Sequence, residues 1–226
     1  MPDLILHLQH IPLFASLPEP LLAELAQRAV KRHYTAGELI FLEGSQAEGY
    51  FYLAEGWIKV VKVSADGREQ VLRFLGPGET FNEMGVFAQR PNPATAIALE
   101  PVTLWVIPRQ ALQAILATQP DAMLRILESM ADRIVDLVNL VADLSLHTVE
   151  TRLARLLLEQ AEDTDVILRR RWSTQAEMAA RLGTVPDVLS RALRNLAEDN
   201  IIRLERQQIQ ILDRERLSVK AQTTEI

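Results

Sequence analysis

Asp187, Ser190, Arg191 and Arg194 recur at steps of three and four residues, so a helix would bring all four to one face. Together they offer hydrogen bonds to base-pair edges. A guanidinium donates two bonds to guanine O6 and N7, a carboxylate accepts from cytosine N4, and a hydroxyl serves either a base or a phosphate. Val188, Leu189, Ala192, Leu193 and Leu196 fall on the opposite side and give such a helix an apolar surface to pack. A solvated, salt-bridged face would show the same charge pattern, so the flanking elements have to choose between the two readings.

Those elements favour DNA. Pro186 stands where a first-turn proline loses no hydrogen bond, which starts the helix there and carries it to about Glu198. Upstream, Thr174-Gln175-Ala176-Glu177 is a capping box, in which the threonine hydroxyl accepts from the backbone at the third helical position. The helix it opens runs through Met178, Ala179 and Leu182 to Gly183, a residue suited to a left-handed helix end. Helix, glycine turn and a second helix with an arginine-bearing face make a helix-turn-helix. Thr174, Gln175 and Val185 border that face and join it as candidate DNA contacts. Beyond it, Ile201 to Leu204 and Gln208 to Leu212 flank a polar Glu205-Arg206-Gln207 turn and predict a hairpin wing. Arg203 and Arg206 there are either phosphate contacts or plain solvated arginines.

A longer helical segment lies upstream. Asp121 to Leu146 is free of proline and glycine, and Leu124, Leu127, Ala131, Ile134, Val138, Val141 and Ser145 step along it by three and four. That is the seam of a two-stranded coiled coil, although a helix lying on its own domain's core would present a similar stripe. We take Leu124, Leu127, Ala131, Ile134, Val138 and Val141 as the dimer interface.

From Ala36 to Ile107 the chain consists of short β-rich runs punctuated by glycine, at Leu39 to Leu42, Tyr50 to Leu53, Trp57 to Val63, Gln70 to Leu75, Ala94 to Ala98 and Val102 to Ile107. Asp66-Gly67 between two of them is a hairpin turn, since both residues tolerate positive φ. Many short strands at this spacing predict a β-roll or barrel.

Composition narrows the function classes. The 226 residues suffice for two domains and a connector, which we divide as 1–118, 119–147 and 148–226. The net charge is −6, but from Thr148 onward 13 Lys/Arg balance 13 Asp/Glu, whereas the preceding part carries 11 and 17. The excess acid therefore lies N-terminally and leaves room for a local basic face near the C-terminus. With no cysteine, disulfides, thiolate metal sites and cysteine-ligated iron-sulfur clusters are excluded. No metal site is expected. No run approaches a membrane span, and Met1 to Phe14 lacks a signal-peptide pattern, so a cytoplasmic protein without a membrane partner is expected. Neither a nucleophile–base pair nor a phosphate-cradling glycine loop is present, which argues against an enzyme.

With these residues in place, the chain resembles the CRP/FNR family of bacterial regulators over nearly its whole length. Glu43-Gly44, Tyr52-Leu53-Ala54-Glu55-Gly56, Asp66-Gly67-Arg68-Glu69 and Leu75-Gly76-Pro77-Gly78-Glu79 are similar to that family's cyclic-nucleotide-binding-type roll. The resemblance implies an α+β protein: a sensory β-roll, a long dimerisation helix and a C-terminal winged helix-turn-helix. It also implies a homodimer that binds double-stranded DNA, works with RNA polymerase and responds to a small-molecule effector. The effector pocket it implies comprises Phe81, Asn82, Glu83, Met84, Gly85, Ala94 and Thr95, with Met130, Ile134, Leu137 and Val138 of the long helix.

In cyclic-AMP-binding members a Gly-Glu pair and an Arg-Ser pair hold ribose and phosphate, and the corresponding places here are Asn82-Glu83 and Ala94-Thr95. A buried phosphate without its arginine is costly, and Leu137 and Val138 cannot hydrogen-bond an adenine, so tight cyclic-AMP binding is not expected. Asp187-Val188-Leu189-Ser190-Arg191 resembles the Glu-x-x-Ser-Arg of the FNR-like branch, as do Phe81 to Met84 and Arg90 to Ala96 the nitric-oxide-responsive members. That likeness implies a TGA-type half-site. It also admits haem, with His10, or His7 on the same helical face, as the ligand. The alternatives are a regulator of this fold that needs no effector, or a ligand-binding regulatory subunit.

Overall fold

The computed structural model describes residues 2–11, 14–15, 17–88, 90–161 and 164–222. The chain forms two compact units, Met1–Lys62 with Leu72–Asp136, and Val63–Val71 with Leu137–Ile226. The division falls inside the long helix and not at its ends, and it groups the tip of the Asp66-Gly67 hairpin with the second unit.

In the first unit, α1 (Pro2–His10) and α2 (Glu19–Arg28) precede the strands β1 (Val30–Tyr34), β2 (Leu39–Phe41), β3 (Gly49–Glu55), β4 (Ile58–Val63), β5 (Glu69–Leu75) and β6 (Thr80–Phe81). A short α3 (Glu83–Phe87) leads to β7 (Thr95–Ala98), β8 (Val102–Pro108), α4 (Arg109–Leu116) and α5 (Pro120–Leu146). The strands form two four-stranded sheets ordered β1-β8-β3-β6 and β2-β7-β4-β5, which is the roll. Inward residues alternate along each strand, so Phe51, Leu53, Ile58, Leu75, Phe81, Leu104 and Val106 meet in one interior.

The other side of β3 is covered as well. Tyr50 and Tyr52 pack outward under Leu4, Leu8, Leu22, Leu25, Leu112 and Ile126 of the surrounding helices, which is why that strand reads as a continuous apolar run. Fully burying one leucine of this kind is worth roughly 1.5–3 kcal/mol. Strand β1, over Val30-Lys31-Arg32-His33-Tyr34, was missed in the sequence because it carries three basic residues; it is an edge strand paired only with β8 in its sheet, where charge is tolerated.

The second unit continues α5 into α6 (Val149–Ala161), β9 (Val166–Leu168), α7 (Gln175–Arg181), α8 (Pro186–Glu198), β10 (Ile202–Leu204), β11 (Gln208–Ile211) and α9 (Arg214–Gln222). Its core joins Leu153, Leu157, Met178, Leu189, Leu193, Leu196, Ile209 and Leu217. The wing hairpin pairs Ile202 with Ile211 and Leu204 with Ile209, and β9 adds a third strand that the sequence reading lacked. None of the described helices is long and apolar enough to cross a membrane.

Candidate nucleic-acid interface

The predicted cap of α7 forms: the Thr174 hydroxyl accepts from the Glu177 backbone N–H at 3.2 Å. Gly183 takes φ +62° directly after the helix, a left-handed conformation that turns the chain into α8. Arg152 Nη1 donates to the Leu182 carbonyl at 2.5 Å, which satisfies an acceptor at the end of α7. Pro186 sits in the first turn of α8, with Val185 as its exposed N-cap.

Helix α8 buries Leu189, Ala192, Leu193 and Leu196. Asp187, Arg191 and Arg194 are exposed and Ser190 is half-buried. Asp187 and Arg191 make no ion pair or side-chain hydrogen bond to a described residue, so their polar groups stay available. The Ser190 hydroxyl donates to Gln175 Oε1 at 3.1 Å, which draws the start of α7 against the middle of α8. Arg194 Nε donates to the Ser190 carbonyl at 3.3 Å and lies back along its own helix. On the wing, Arg203 and Arg206 are both exposed.

In the first unit the expected effector residues are distributed unevenly. Phe81 is interior and stacks on Phe51 with ring centroids 4.9 Å apart. Asn82 is buried at φ +76° and donates through Nδ2 to the Gly49 carbonyl, while Gly85, Ala94 and Thr95 are also buried. Met84 and Ile134 are exposed by 50% and 61%, and Met130 is half-buried. Leu137 and Val138, also exposed, fall in the second unit.

The sequence reading missed the partners of Glu83. This carboxylate, 4% exposed, forms an ion pair with Arg133 of α5 at 2.6 Å, and Arg133 Nη2 also donates to the Thr80 carbonyl at 2.9 Å. The Tyr50 hydroxyl lies 2.6 Å from Thr80 Oγ1 and 3.3 Å from Glu83 Oε1. Burial pushes the Glu83 carboxyl above its usual range against the attraction of Arg133, and burial lowers Arg133 in turn. Burial and the neighbouring Glu83 carboxylate push the Tyr50 phenol up. Arg73 pairs with Glu79 at 2.6 Å. It shares strand parity with the buried Val71 and Leu75, a signal of an inward-facing charge that was available in the sequence.

His10 is exposed and donates from Nδ1 to the Leu6 carbonyl at 2.7 Å, and His7 packs its ring 5.6 Å from that of Tyr52. Among the described residues no three His, Cys, Asp or Glu side chains gather into a metal-binding group.

Comparison with known proteins places this geometry. The cyclic nucleotide-binding domain family matches residues 31–119, and the Crp-like helix-turn-helix domain family matches residues 151–219. The CRP-like cAMP-activated global transcriptional regulator of Mycobacterium tuberculosis is 27% identical over 214 residues, 92% of this chain and 96% of that protein. The cyclic AMP receptor protein of Thermus thermophilus is 29% identical over 176 residues, 77% of this chain and 80% of that protein. Among solved structures, FixK2 from Bradyrhizobium japonicum shares the fold with a TM-score of 0.76 at 21% identity, covering 87% of this chain and 99% of that one. A roll of the cyclic-nucleotide-binding type, a long helix and a Crp-like helix-turn-helix in one chain identify it: the protein belongs to the CRP/FNR family of transcriptional regulators, whose helix-turn-helix binds DNA.

Proposed function

We propose that this regulator works as a homodimer joined through α5, so that two α8 helices read a palindromic site one DNA turn apart. The observation that carries the reading is the exposed apolar stripe of α5. Leu124, Leu127, Ile134, Val138 and Val141 are each more than half exposed in the single chain, at 57%, 56%, 61%, 60% and 63%. A run of this kind along one helix is stable in water only when covered, and a second copy of the same helix matches its spacing. Asp187, Ser190 and Arg191 stand where FNR-like members carry Glu, Ser and Arg, which supports a TGA-type half-site and a place nearer that branch.

The signal is received in the roll and reaches the DNA domains by shifting the helix seam and the hinge near Ser145 to Thr148. Tight binding of cyclic AMP as that signal is not expected. Where its phosphate would need an arginine, Ala94 is buried and the Thr95 hydroxyl already accepts from the Glu43 backbone N–H at 3.0 Å. The carboxylate in the place of the ribose contact is committed to Arg133. Those residues do not fit the nucleotide. RNA polymerase is the further partner expected of such a regulator in the cytoplasm.

Sedimentation equilibrium tests the dimer. Leu127→Glu combined with Val141→Glu should convert the protein to monomers and weaken binding to a duplex with inverted TGA half-sites, and a double variant that stays dimeric refutes the α5 interface. A thermal-shift screen with cyclic nucleotides, together with absorbance in the Soret region, tests the effector reading; a large stabilisation by cyclic AMP would overturn it.

A further inference from the structure

Asn92, in the loop before β7, is 2% exposed, and all but one of its polar groups have partners. Its backbone N–H donates to the Ser45 carbonyl and its carbonyl accepts from the Gly44 N–H, each at 2.9 Å, so this loop is held against the one between β2 and β3. Its Nδ2 donates to Ser45 Oγ at 3.1 Å. The Ser45 hydroxyl gives its one hydrogen to the Leu42 carbonyl at 2.6 Å and can only accept from Asn92, which fixes the orientation of the carboxamide. What remains is Oδ1, shut off from solvent and without a partner among the described residues. A buried acceptor left in this way calls for a donor.

The same residue lines a cavity of about 280 Å³ beside β2. Leu39, Phe41 and Leu42, with Phe51 of β3, form its apolar wall. The Phe41 ring centroid lies 5.6 Å from that of Phe51 and 6.1 Å from that of Phe81, so the wall is backed by aromatic rings. Leu39 and Leu42 are 47% and 52% exposed, which leaves this side open to an entering molecule. The one ionisable residue of the lining, Glu48, is paired with Arg32 at 2.6 Å. A cavity of about 150 Å³ accepts a benzene ring, so this one has room for a bicyclic arene. None of the residues expected to form the effector pocket lines it.

We propose that this cavity is a binding site for a neutral aromatic molecule of about indole size that carries one N–H or O–H donor, with its ring against Leu39 and Phe41 and its donor on Asn92 Oδ1. The apolar wall selects the ring, and the absence of an unpaired charge in the lining selects neutrality. Solvent does not reach Oδ1, so the donor has to come on a molecule whose apolar contacts offset the cost of parting the wall around it. The proposal deepens the reading of the roll as the receiver of the signal and rests on it for the consequence at DNA. Two residues beyond Asn92 the chain enters Ala94-Thr95, where the Thr95 hydroxyl accepts from the Glu43 N–H, and β7 pairs with both β2 and β4.

Indole, and 1-methylindole as the same ring without a donor, are titrated into the full-length protein by isothermal calorimetry. Indole should bind saturably and about five- to tenfold more tightly than 1-methylindole, the range of one hydrogen bond. Asn92→Ala should erase that preference. Leu42→Trp, which fills the cavity from its exposed side, should abolish binding of both while unfolding at the wild-type temperature. Where Asn92→Ala does not fold, the two ligands on wild type and Leu42→Trp decide. No saturable binding, or a preference that survives Asn92→Ala, overturns the site. DNA affinity is measured alongside by fluorescence anisotropy, on one duplex carrying inverted TGA half-sites and a second with the half-sites scrambled. Saturating indole should change the affinity of wild type for the first duplex and leave that of Leu42→Trp unaltered. Binding that depends on Asn92 but leaves DNA affinity unchanged keeps the site and refutes the roll as receiver of this signal, so the two failures are told apart.

Discussion

Two regions of this protein, the surroundings of Glu83 and the outer face of α8, use charge in opposite ways. Around Glu83, acid and base are taken out of water and spent on one another: Arg133 serves both a carboxylate and a carbonyl, and Tyr50 and Thr80 close the set. On α8, Asp187 and Arg191 stand in solvent with nothing in the described fold to satisfy them. A buried pair contributes little net stability, yet losing one partner strands the other in low dielectric. An exposed side chain without partners contributes almost nothing to folding and keeps its hydrogen bonds for a ligand. Removing a charge from the first region should therefore read out in stability, and from the second in recognition.

The largest effect is expected at the buried pair. Arg133→Leu should cost about 3–5 kcal/mol in urea unfolding near neutral pH, because Glu83 is left buried and uncompensated. Its sign with pH follows from the raised Glu83 pKa. A carboxyl whose folded pKa lies above its unfolded value costs stability where it is ionised, and that cost is relieved as pH falls through the folded pKa. Loss of Arg133 raises that pKa further, so the deficit should shrink on mild acidification. Glu83→Gln added to Arg133→Leu should recover much of the loss. A deficit that is small and flat with pH would break the contrast between the regions.

Arg191→Ala is the counterpart. It should leave the unfolding midpoint nearly unchanged and remove roughly 1–3 kcal/mol of discrimination between the intact and scrambled duplexes. A large fall in midpoint without a change in discrimination would assign this face to the fold and not to DNA.

Two smaller effects sharpen the comparison by loosening what positions α8. Gly183→Ala should cost about 1–2 kcal/mol, since φ +62° is strained for a residue with a side chain. The added Cβ also meets Leu144 Cδ2 and Gln70 Oε1, flexible chain ends that can move. Thr174→Ala should cost about 1 kcal/mol through removal of the cap, with Thr174→Ser close to wild type by thermal unfolding. Both should weaken binding to the two duplexes together, because they disturb placement and not base contacts.

How far the sequence could be read depended on the range of the interaction concerned. The helix-turn-helix was legible almost residue by residue, because its signals are local: a threonine three residues before a glutamate, a glycine at a helix end, a proline at a helix start, and a polar face at helical spacing. Strands β3, β5 and β8 were legible from their apolar runs, and the hairpin from Asp66-Gly67. β1 and β9 were not, because a basic edge strand and a three-residue strand carry too little pattern to stand apart from loop.

By itself, then, the chain of residues determined where α7 starts and where α8 begins and ends, which side of α8 is apolar, and the absence of any thiol chemistry. Only the tertiary structure decided that Glu83 meets an arginine fifty positions away, that Arg73 turns inward beside Glu79, and that Arg169 leaves the sheet at the wing turn. The physical reason is one of distance. Caps, turns and amphipathic periods are settled within a few residues by backbone sterics and hydrogen bonding, whereas a partner chosen across the fold exists only once the strands and helices have closed around it.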